Sequence, residues 1–467
     1  MKIQNFMHAG LGTIVSQIVT MVSIPFLFRL YDPADFASWA VTLSVVMLVG
    51  GVSTLRYELA VVIERDRLEA SALFWLSLLF GVSVATLASL ILIVSPISDW
   101  LFGGAVIPYL DFMIATWLIL VAMSQALQGW ALHDGGFKQI SWAQIGNAVM
   151  LSVVQLIGGY HGGGAEWLIF GSVVGQLILL LILLRHIFHS SALVGLRHCI
   201  NRIPAVAARY QRFPRFSVPY TLFTIVRERA AVIVLGNWAA PAEVGYYSQA
   251  WRIMNLPVGL SSSAIRPVLF HASADQGLSA QESRIAVILA ALIVSGAPWL
   301  AYILYRPEDL FGVILGEQWR SAGAYAYMLV FPAFLFTLRN WMDRILDVAG
   351  RQDLNLLTEI VSAVTSIAAV VIVLASGATA LKAVAVQSAI LTVNYAVFIV
   401  VAYRIAGYKL LTLAKLVALL VGLVAFYWFI LLIGVGPETD NTIYMLFVVP
   451  VAIASLIPGA FVIRKLQ

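Results

Sequence analysis

Arg227, Glu228 and Arg229 stand in a row in the middle of the seventh long apolar segment of the chain. Ionisable side chains at membrane depth are costly unless they meet a wet cavity, a counter-charge or a charged ligand. Two guanidiniums beside one carboxylate suit an anion, because the planar fork of arginine matches phosphate oxygens and does not readily lose its proton. At ~100° per residue, Arg229 lies roughly 200° around the helix from Arg227. One arginine is therefore expected to face a cargo and the other an acid or the packed bundle. Glu228 is either a structural counter-ion or a proton or cation site. Ser217, Thr221, Thr224 and Glu228 share one face, with Tyr220 and Arg227 at its edge.

The eighth segment carries a second polar stripe. Ser248, Arg252, Asn255, Gly259, Ser262 and Arg266 recur at helical spacing on a helix whose other faces are apolar. Lipid does not solvate such a stripe, so it is expected to line a cavity; the competing reading is a seam of small residues between helices. Pro257 is expected to kink this helix. The first segment shows a weaker stripe of Asn5, His8, Gly12, Ser16 and Thr20, read as a further cavity wall. Arg56-Tyr57-Glu58 closes the second segment and by itself reads as a surface anchor. Arg339, Asp343 and Asp347 are spaced to pair along one helical face. The histidines near residues 186–198 fit no zinc spacing. No phosphate-cradling glycine loop is found, so no cofactor is expected. Energy would come from an H⁺ or Na⁺ gradient or from the cargo itself.

The elements that must hold these residues are membrane helices. The chain has 467 residues, 61% hydrophobic and 11% charged, with a mean hydropathy of +0.93. A soluble domain carries roughly 25% charged residues. About fourteen spans are expected: 6–30, 35–55, 71–94, 109–131, 141–160, 165–188, 214–236, 244–268, 284–305, 322–346, 355–376, 380–403, 413–433 and 442–463. The first, seventh, eighth and tenth are polar enough to escape a hydropathy criterion. Of the 28 Lys and Arg, 20 fall on the side of the N-terminus, 4 on the opposite side and 4 within spans. Both termini are therefore expected in the cytoplasm. The first segment is too long for a signal peptide and lacks a cleavage site. The single Cys199 excludes a disulfide framework. No basic run is interleaved with aromatics, so nucleic acid is not an expected partner.

The domains expected are an N-terminal six-helix lobe (1–188), a cytoplasmic linker rich in arginine (189–213), a C-terminal six-helix lobe (214–404) and two additional helices (405–467). A short repeat supports two related lobes. Pro33-Ala34-Asp35-Phe36-Ala37-Ser38-Trp39 opens the second span, and Pro241-Ala242-Glu243-Val244-Gly245-Tyr246-Tyr247 opens the eighth. Parallel repeats of this kind are common in secondary transporters.

Several motifs, in order along the whole chain, resemble the polysaccharide transporters, Wzx-type oligosaccharide flippases of the multidrug/oligosaccharidyl-lipid/polysaccharide (MOP) superfamily. They are Gly12 through Pro25, Leu30-Tyr31-Asp32-Pro33-Ala34-Asp35-Phe36, Arg56-Tyr57-Glu58-Leu59-Ala60-Val61-Val62-Ile63 with Glu69-Ala70, Phe213-Pro214-Arg215-Phe216-Ser217-Val218-Pro219, Val244-Gly245-Tyr246-Tyr247 and Leu256-Pro257. Glu64-Arg65 departs from the Leu-Pro expected after the Arg-Tyr-Glu stretch. The resemblance implies an all-α membrane protein with two pseudo-symmetric six-helix lobes plus two C-terminal helices, and a central cavity lined by spans one, two, seven and eight. It implies a non-enzymatic flippase in the bacterial cytoplasmic (inner) membrane. The implied cargo is undecaprenyl-diphosphate-linked oligosaccharide, carried to the periplasmic leaflet by alternating access. O-antigen, capsule and exopolysaccharide units all fit. A polysaccharide polymerase or chain-length regulator is an implied partner beside the membrane lipids. On this reading Arg252 and one of Arg227 and Arg229 hold the diphosphate. Arg56 and Arg266 capture it at the cytoplasmic mouth. Ser248, Asn255, Tyr220 and Thr224 bond the sugars, and Glu228 stays open as counter-ion or ion site. The alternatives are a multidrug exporter or a lipid II flippase of the same superfamily, and a polysaccharide polymerase or ligase. The exporter suits a cavity richer in acids, and the enzymes would want catalytic groups on a large external loop.

Overall fold

The computed structural model describes residues 3–95, 100, 101, 107, 109–190, 193–259, 261, 265, 269 and 277–434. Among the described residues every regular element is helical. The long helices are α1 (Ile3–Leu30), α2 (Pro33–Ser53), α3 (Arg67–Val94), α4 (Leu110–His133), α5 (Phe137–Tyr160), α6 (Ala165–Ser190), α7 (Val218–Trp238), α8 (Pro241–Met254), α9 (Glu282–Tyr305), α10 (Ala322–Arg339), α11 (Gln352–Ala375), α12 (Ala380–Ile405) and α13 (Leu410–Gly434). Each of the first thirteen expected spans contains one of them. The fourteenth span, with Ser262, Arg266 and the side chains of Asn5 and His8, lies outside the described residues. Among the described residues ten helices are long and apolar enough to cross a bilayer, which makes this a multi-pass membrane protein. The seventh span falls outside that ten, as its polarity suggested; the first counts there as the shorter apolar helix Val15–Leu30, and the eighth, Pro241–Met254, is too short. The tenth is among the ten, because residues 322–348 qualify as one apolar stretch.

The chain forms two compact units, Met1–Gly245 and Tyr246–Gln467. In the first, polar clasps join the helices. Gly12 is buried against Ser141, where a β-carbon would come within 2.4 Å. It therefore serves the seam between α1 and α5 rather than a cavity wall. The Tyr31 hydroxyl donates to the Gln155 carbonyl at 2.6 Å, and Ser152 to Ser23 at 3.2 Å. Trp39 donates to Ser172 at 2.9 Å, tying α2 to α6. Such bonds suit helices in lipid, where the apolar surround supplies little driving force for association. The seventh span, α7, packs along α2. It therefore falls within the first unit, which ends at Gly245.

Both copies of the repeat begin a helix, α2 at Pro33 and α8 at Pro241. Proline suits a first helical turn because its missing N–H would have no partner there. The copies also meet: a β-carbon on Gly245 would lie 1.9 Å from the Pro33 carbonyl oxygen.

In the second unit, α9 packs on α13, α10 on α12 and α11 on α12. Ile285, Leu289, Ile293, Trp341, Met342 and Ile345 contribute to its core. Within this unit lies an ion pair between Arg339 and Glu359 at 2.6 Å, with side-chain exposures of 3% and 4%. The guanidinium stacks over Phe398 at 4.1 Å and Tyr395 at 5.0 Å. The expected ladder of Arg339, Asp343 and Asp347 is not what forms. The chain turns at Asn340–Met342 before a short helix, Asp343–Val348. Arg339 finds its acid on α11, and Asp347 pairs with Arg344 at 2.8 Å.

Two substitutions test this packing. Gly245→Ala must displace the Pro33 backbone and is expected to lower stability by about 1–3 kcal/mol, read as a drop in the thermal midpoint of the detergent-purified protein. Arg339→Ala leaves Glu359 buried and is expected to cost about 3–5 kcal/mol, whereas the double change Arg339→Met with Glu359→Leu is expected to be close to neutral. Equal losses in the single and double variants would contradict the closed-pair reading.

Candidate functional site

The position of the charged triplet follows from how α7 lies on α2. A β-carbon on Gly51 would meet Ile225 at 2.3 Å, and one on Gly236 would meet Val41 at 3.0 Å. The two helices therefore run antiparallel, with bare glycine backbone at two close approaches. Interpolating between those points sets Glu228 level with residue 48 or so of α2. That is about 8 Å from the middle of α2 at ~1.5 Å per residue. The triplet is displaced toward the end of α2 that carries Arg56, although it sits in the middle of its own helix.

Arg227 is buried at 3% exposure. Its Nη2 donates to Glu228 Oε1 at 3.2 Å. The Glu228 side chain stays 35% exposed, and Arg229 is half-buried. The two arginines thus occupy different surroundings, as their angular separation requires. Ser217, Tyr220, Thr221 and Thr224 are also half-buried. The Thr224 hydroxyl donates to the Tyr220 carbonyl at 2.9 Å, a local bond that orients it along the helix.

Arg56 is held by unusual backbone. Leu55 and Arg56 have φ of 51° and 63°, a left-handed conformation that costs non-glycine residues about 1–3 kcal/mol each. The surroundings enforce it. Glu58, only 6% exposed, pairs with Arg56 at 3.1 Å and accepts from Thr54 at 2.5 Å. Gly129 leaves room for the Glu58 backbone, which a β-carbon there would meet at 2.8 Å. Arg56 Nε is buried without a hydrogen-bond partner. Arg56-Tyr57-Glu58 is therefore a built, strained element and not a simple surface anchor.

The same element receives the arginine-rich linker, a role not read from the sequence. Residues 193–210 lie across the end of α3. Trp75 donates to the Val194 carbonyl at 2.9 Å, and the Val194 amide to Ser71 at 3.1 Å. Tyr57 donates to the Ala207 carbonyl at 3.3 Å. Arg209 is ion-paired with Glu69, and Tyr210 donates to Glu64 at 2.7 Å. Burial alone would raise the Glu64 carboxyl, but hydrogen bonds from Tyr210 and from the Asp66 and Arg65 amides together hold it below the usual range. The bond to Glu64, with burial, pushes the Tyr210 phenol up to about 12. A depressed carboxyl stabilises the docked form at neutral pH, and that contribution is lost only as pH falls through the depressed value. Cys199 and Val206 are fully buried under the linker, and burial raises the Cys199 thiol. Glu64 and Glu69 gave no local signal, because their partners lie some 140 residues further on.

In the second unit, α8 ends at Met254 and Asn255 forms a turn before Pro257. The proline has no N–H for the Ile253 carbonyl, which accounts for a break at this point. Asn255 Nδ2 bonds the Trp251 carbonyl at 2.8 Å, while its Oδ1 is buried without a partner. Arg252 is half-buried and Ser248 is 7% exposed. The stripe thus grades from buried Ser248 to exposed Gly259. Two neighbours extend it. Gln249 donates to Ser248 at 3.2 Å, and Tyr247 donates to Gln387 of α12 at 3.3 Å. The run Tyr247-Ser248-Gln249, which starts at the last residue of the repeat motif, was the available signal.

The structure is similar over 98% of this chain and 99% of the other to "Lipid II flippase MurJ, inward closed conformation", with a TM-score of 0.75 at 10% identity. It also resembles the crystal structure of a point mutant of a multidrug and toxin extrusion (MATE) transporter, with a TM-score of 0.52 at 14% identity over 89% of this chain and 96% of that one. An outward-facing "multidrug resistance MATE family transporter of the MOP superfamily" scores 0.50 at 15% identity, over 89% and 95% of the two chains. No curated protein matches the chain. Residues 26–324 match the family described as "Polysaccharide biosynthesis protein", and the chain belongs to that family.

Docking of the linker is testable through the one cysteine. In a Glu64→Gln, Glu69→Gln double variant, maleimide labelling of Cys199 at pH 7 is expected to accelerate at least severalfold over wild type, with the thermal midpoint nearly unchanged. Equal labelling rates would show that the two acids do not hold the linker down.

Proposed function

We propose that the protein is a flippase for polyprenyl-diphosphate-linked oligosaccharide in polysaccharide assembly. It moves the cargo from the cytoplasmic to the external leaflet of the bacterial cytoplasmic membrane, with both termini in the cytoplasm. One observation carries this reading. In a family member of polysaccharide biosynthesis, α7 presents a partly open Glu228 and Arg229 beside buried Arg227. A half-buried arginine within a span suits a diphosphate, which a membrane interior otherwise excludes. Arg252, half-buried on α8 beside Asn255 with its unsatisfied Oδ1, is assigned to the same cargo. Thr224, Tyr220 and Ser248 supply hydroxyls for sugar. Arg56, held by its strained backbone near one end of α2, is assigned to capture, with Arg266 beside it in role. Translocation proceeds by alternating access, the polyprenyl chain staying in lipid. The inward closed structure with the similar fold acts on lipid II by its name, which is also a polyprenyl diphosphate carrying sugars. That agrees with the headgroup chemistry and leaves the sugar to experiment.

Arg252→Ala and Arg229→Ala are expected to reduce translocation at least tenfold, while Arg252→Lys retains part of it. The readout is lipid-linked oligosaccharide in cells lacking the wild-type gene: completed units accumulate on the cytoplasmic face and surface polysaccharide is lost. Full polysaccharide in correctly inserted Arg252→Ala cells would remove Arg252 from the site. Normal polysaccharide in the deletion itself, with greater sensitivity to cationic drugs, would replace the flippase reading with that of an exporter.

A further inference from the structure

A groove of ≈ 500 Å³ opens at the surface of the first unit, between the last turns of α1 and α5, the end that the basic-residue bias assigns to the external side. Phe26, Leu30, Ile157 and Tyr160 form its wall, and Arg29 and His161 stand at its rim. Its size is ordinary for a ligand pocket. All six side chains are exposed, so the groove opens toward whatever surrounds the bundle, which at this depth is the boundary of the hydrocarbon.

The floor is rigid. Gly159 is pressed against Leu30 and Tyr31, where a β-carbon would come within 2.8 and 2.7 Å. The Tyr31 hydroxyl is bonded to the Gln155 carbonyl. The groove is therefore pre-formed, and a ligand need not open it.

Arg29 is the unusual component. It lies on the side that holds only 4 of the 28 basic residues. Two others on that side are paired, Arg306 with Asp309 and Arg320 with both Asp309 and Glu317. Among the described residues Arg29 has no acid within ion-pair distance. Its place at the C-terminal end of α1 gives it only the helix dipole. An exposed guanidinium above an apolar wall, with an aromatic residue on each side at the interface, matches a phosphate headgroup above a hydrocarbon chain. No acid lines the groove, so an ethanolamine headgroup would find no partner for its ammonium.

The geometry points to a binding site for an anionic glycerophospholipid of the cation-poor leaflet, with its phosphate on Arg29 and one acyl chain along Phe26 and Ile157. The site is separate from the charged triplet and does not rest on the transport reading.

The test is native mass spectrometry of the full-length protein released from nanodiscs of equimolar phosphatidylglycerol and phosphatidylethanolamine. Wild type is expected to retain phosphatidylglycerol about fivefold over phosphatidylethanolamine, the scale of one basic residue at an anionic surface. Arg29→Ala is expected to abolish that preference with an unchanged thermal midpoint, and Arg29→Lys to keep part of it. Ile157→Ser, which alters the wall and not the charge, is expected to lower retention of both lipids. Undiminished preference in Arg29→Ala, or none in wild type, would overturn the proposal. So would displacement of bound phosphatidylglycerol by an equimolar polyprenyl phosphate in an Arg29-dependent manner, which would assign the groove to a prenyl lipid instead.

Discussion

Hydrocarbon does not solvate charge, so every ionisable group carried into the membrane must be answered by the protein itself. Two answers are visible here. Arg339 and Glu359 form a closed pair, buried on both sides and stacked on two aromatic rings. A pair of that kind is neutral, and its role is internal to the second unit. Arg227 is answered differently, by a neighbour on its own helix that is itself a third exposed. Glu228 and Arg229 keep part of their surface open. A helix whose Glu228 and Arg229 keep part of their surface accessible can be reached by a partner, whereas the buried pair cannot.

Close backbone approach makes the open arrangement possible. Gly51 and Gly236 let α7 lie directly on α2. Without those glycines the helices would stand further apart and Arg227 would lose the packing that buries it. The register these contacts impose also brings the triplet toward the end of α2 where Arg56 is held. The strained backbone at Leu55 and Arg56 is maintained by Glu58, Thr54 and the gap at Gly129. Local strain, a buried acid and a half-buried arginine therefore occur along the same pair of helices.

What could be read from the sequence follows the range of the interaction. The apolar runs were legible because a membrane span needs about 20 such residues, and no tertiary contact is required to see them. The paired starts at Pro33 and Pro241 were legible for the same local reason. Arg339 was misread because helical spacing assumes a continuous helix. The chain turns at Asn340–Met342, and the true partner lies 20 residues on in α11. Gly12 shares a stripe with polar residues, yet its contact with Ser141 makes it a seam. The register of Arg227–Arg229 against α2 was not legible, because no single helix encodes it. Glu64 and Glu69 looked like ordinary loop acids, since only the docked linker gives them partners.

That docked linker has a mechanical consequence. Residues 193–210 are clasped to α3 and to Tyr57 through bonds from Trp75, Arg209 and Tyr210. The chain then passes through a wide helical turn at Phe213–Ser217 directly into α7. Any axial shift of α7 along α2 must either carry the linker with it or release those bonds. The bonds most easily released are the exposed ion pairs of Arg209, which are weak individually. The buried contacts at Cys199 and Val206 resist. The linker is thus a tether graded in strength, strongest at its start and weakest where it hands over to the helix that bears the charged triplet. Release begins at the end nearest the triplet, and once those bonds are gone the hold on the buried segment at Cys199 is loosened as well.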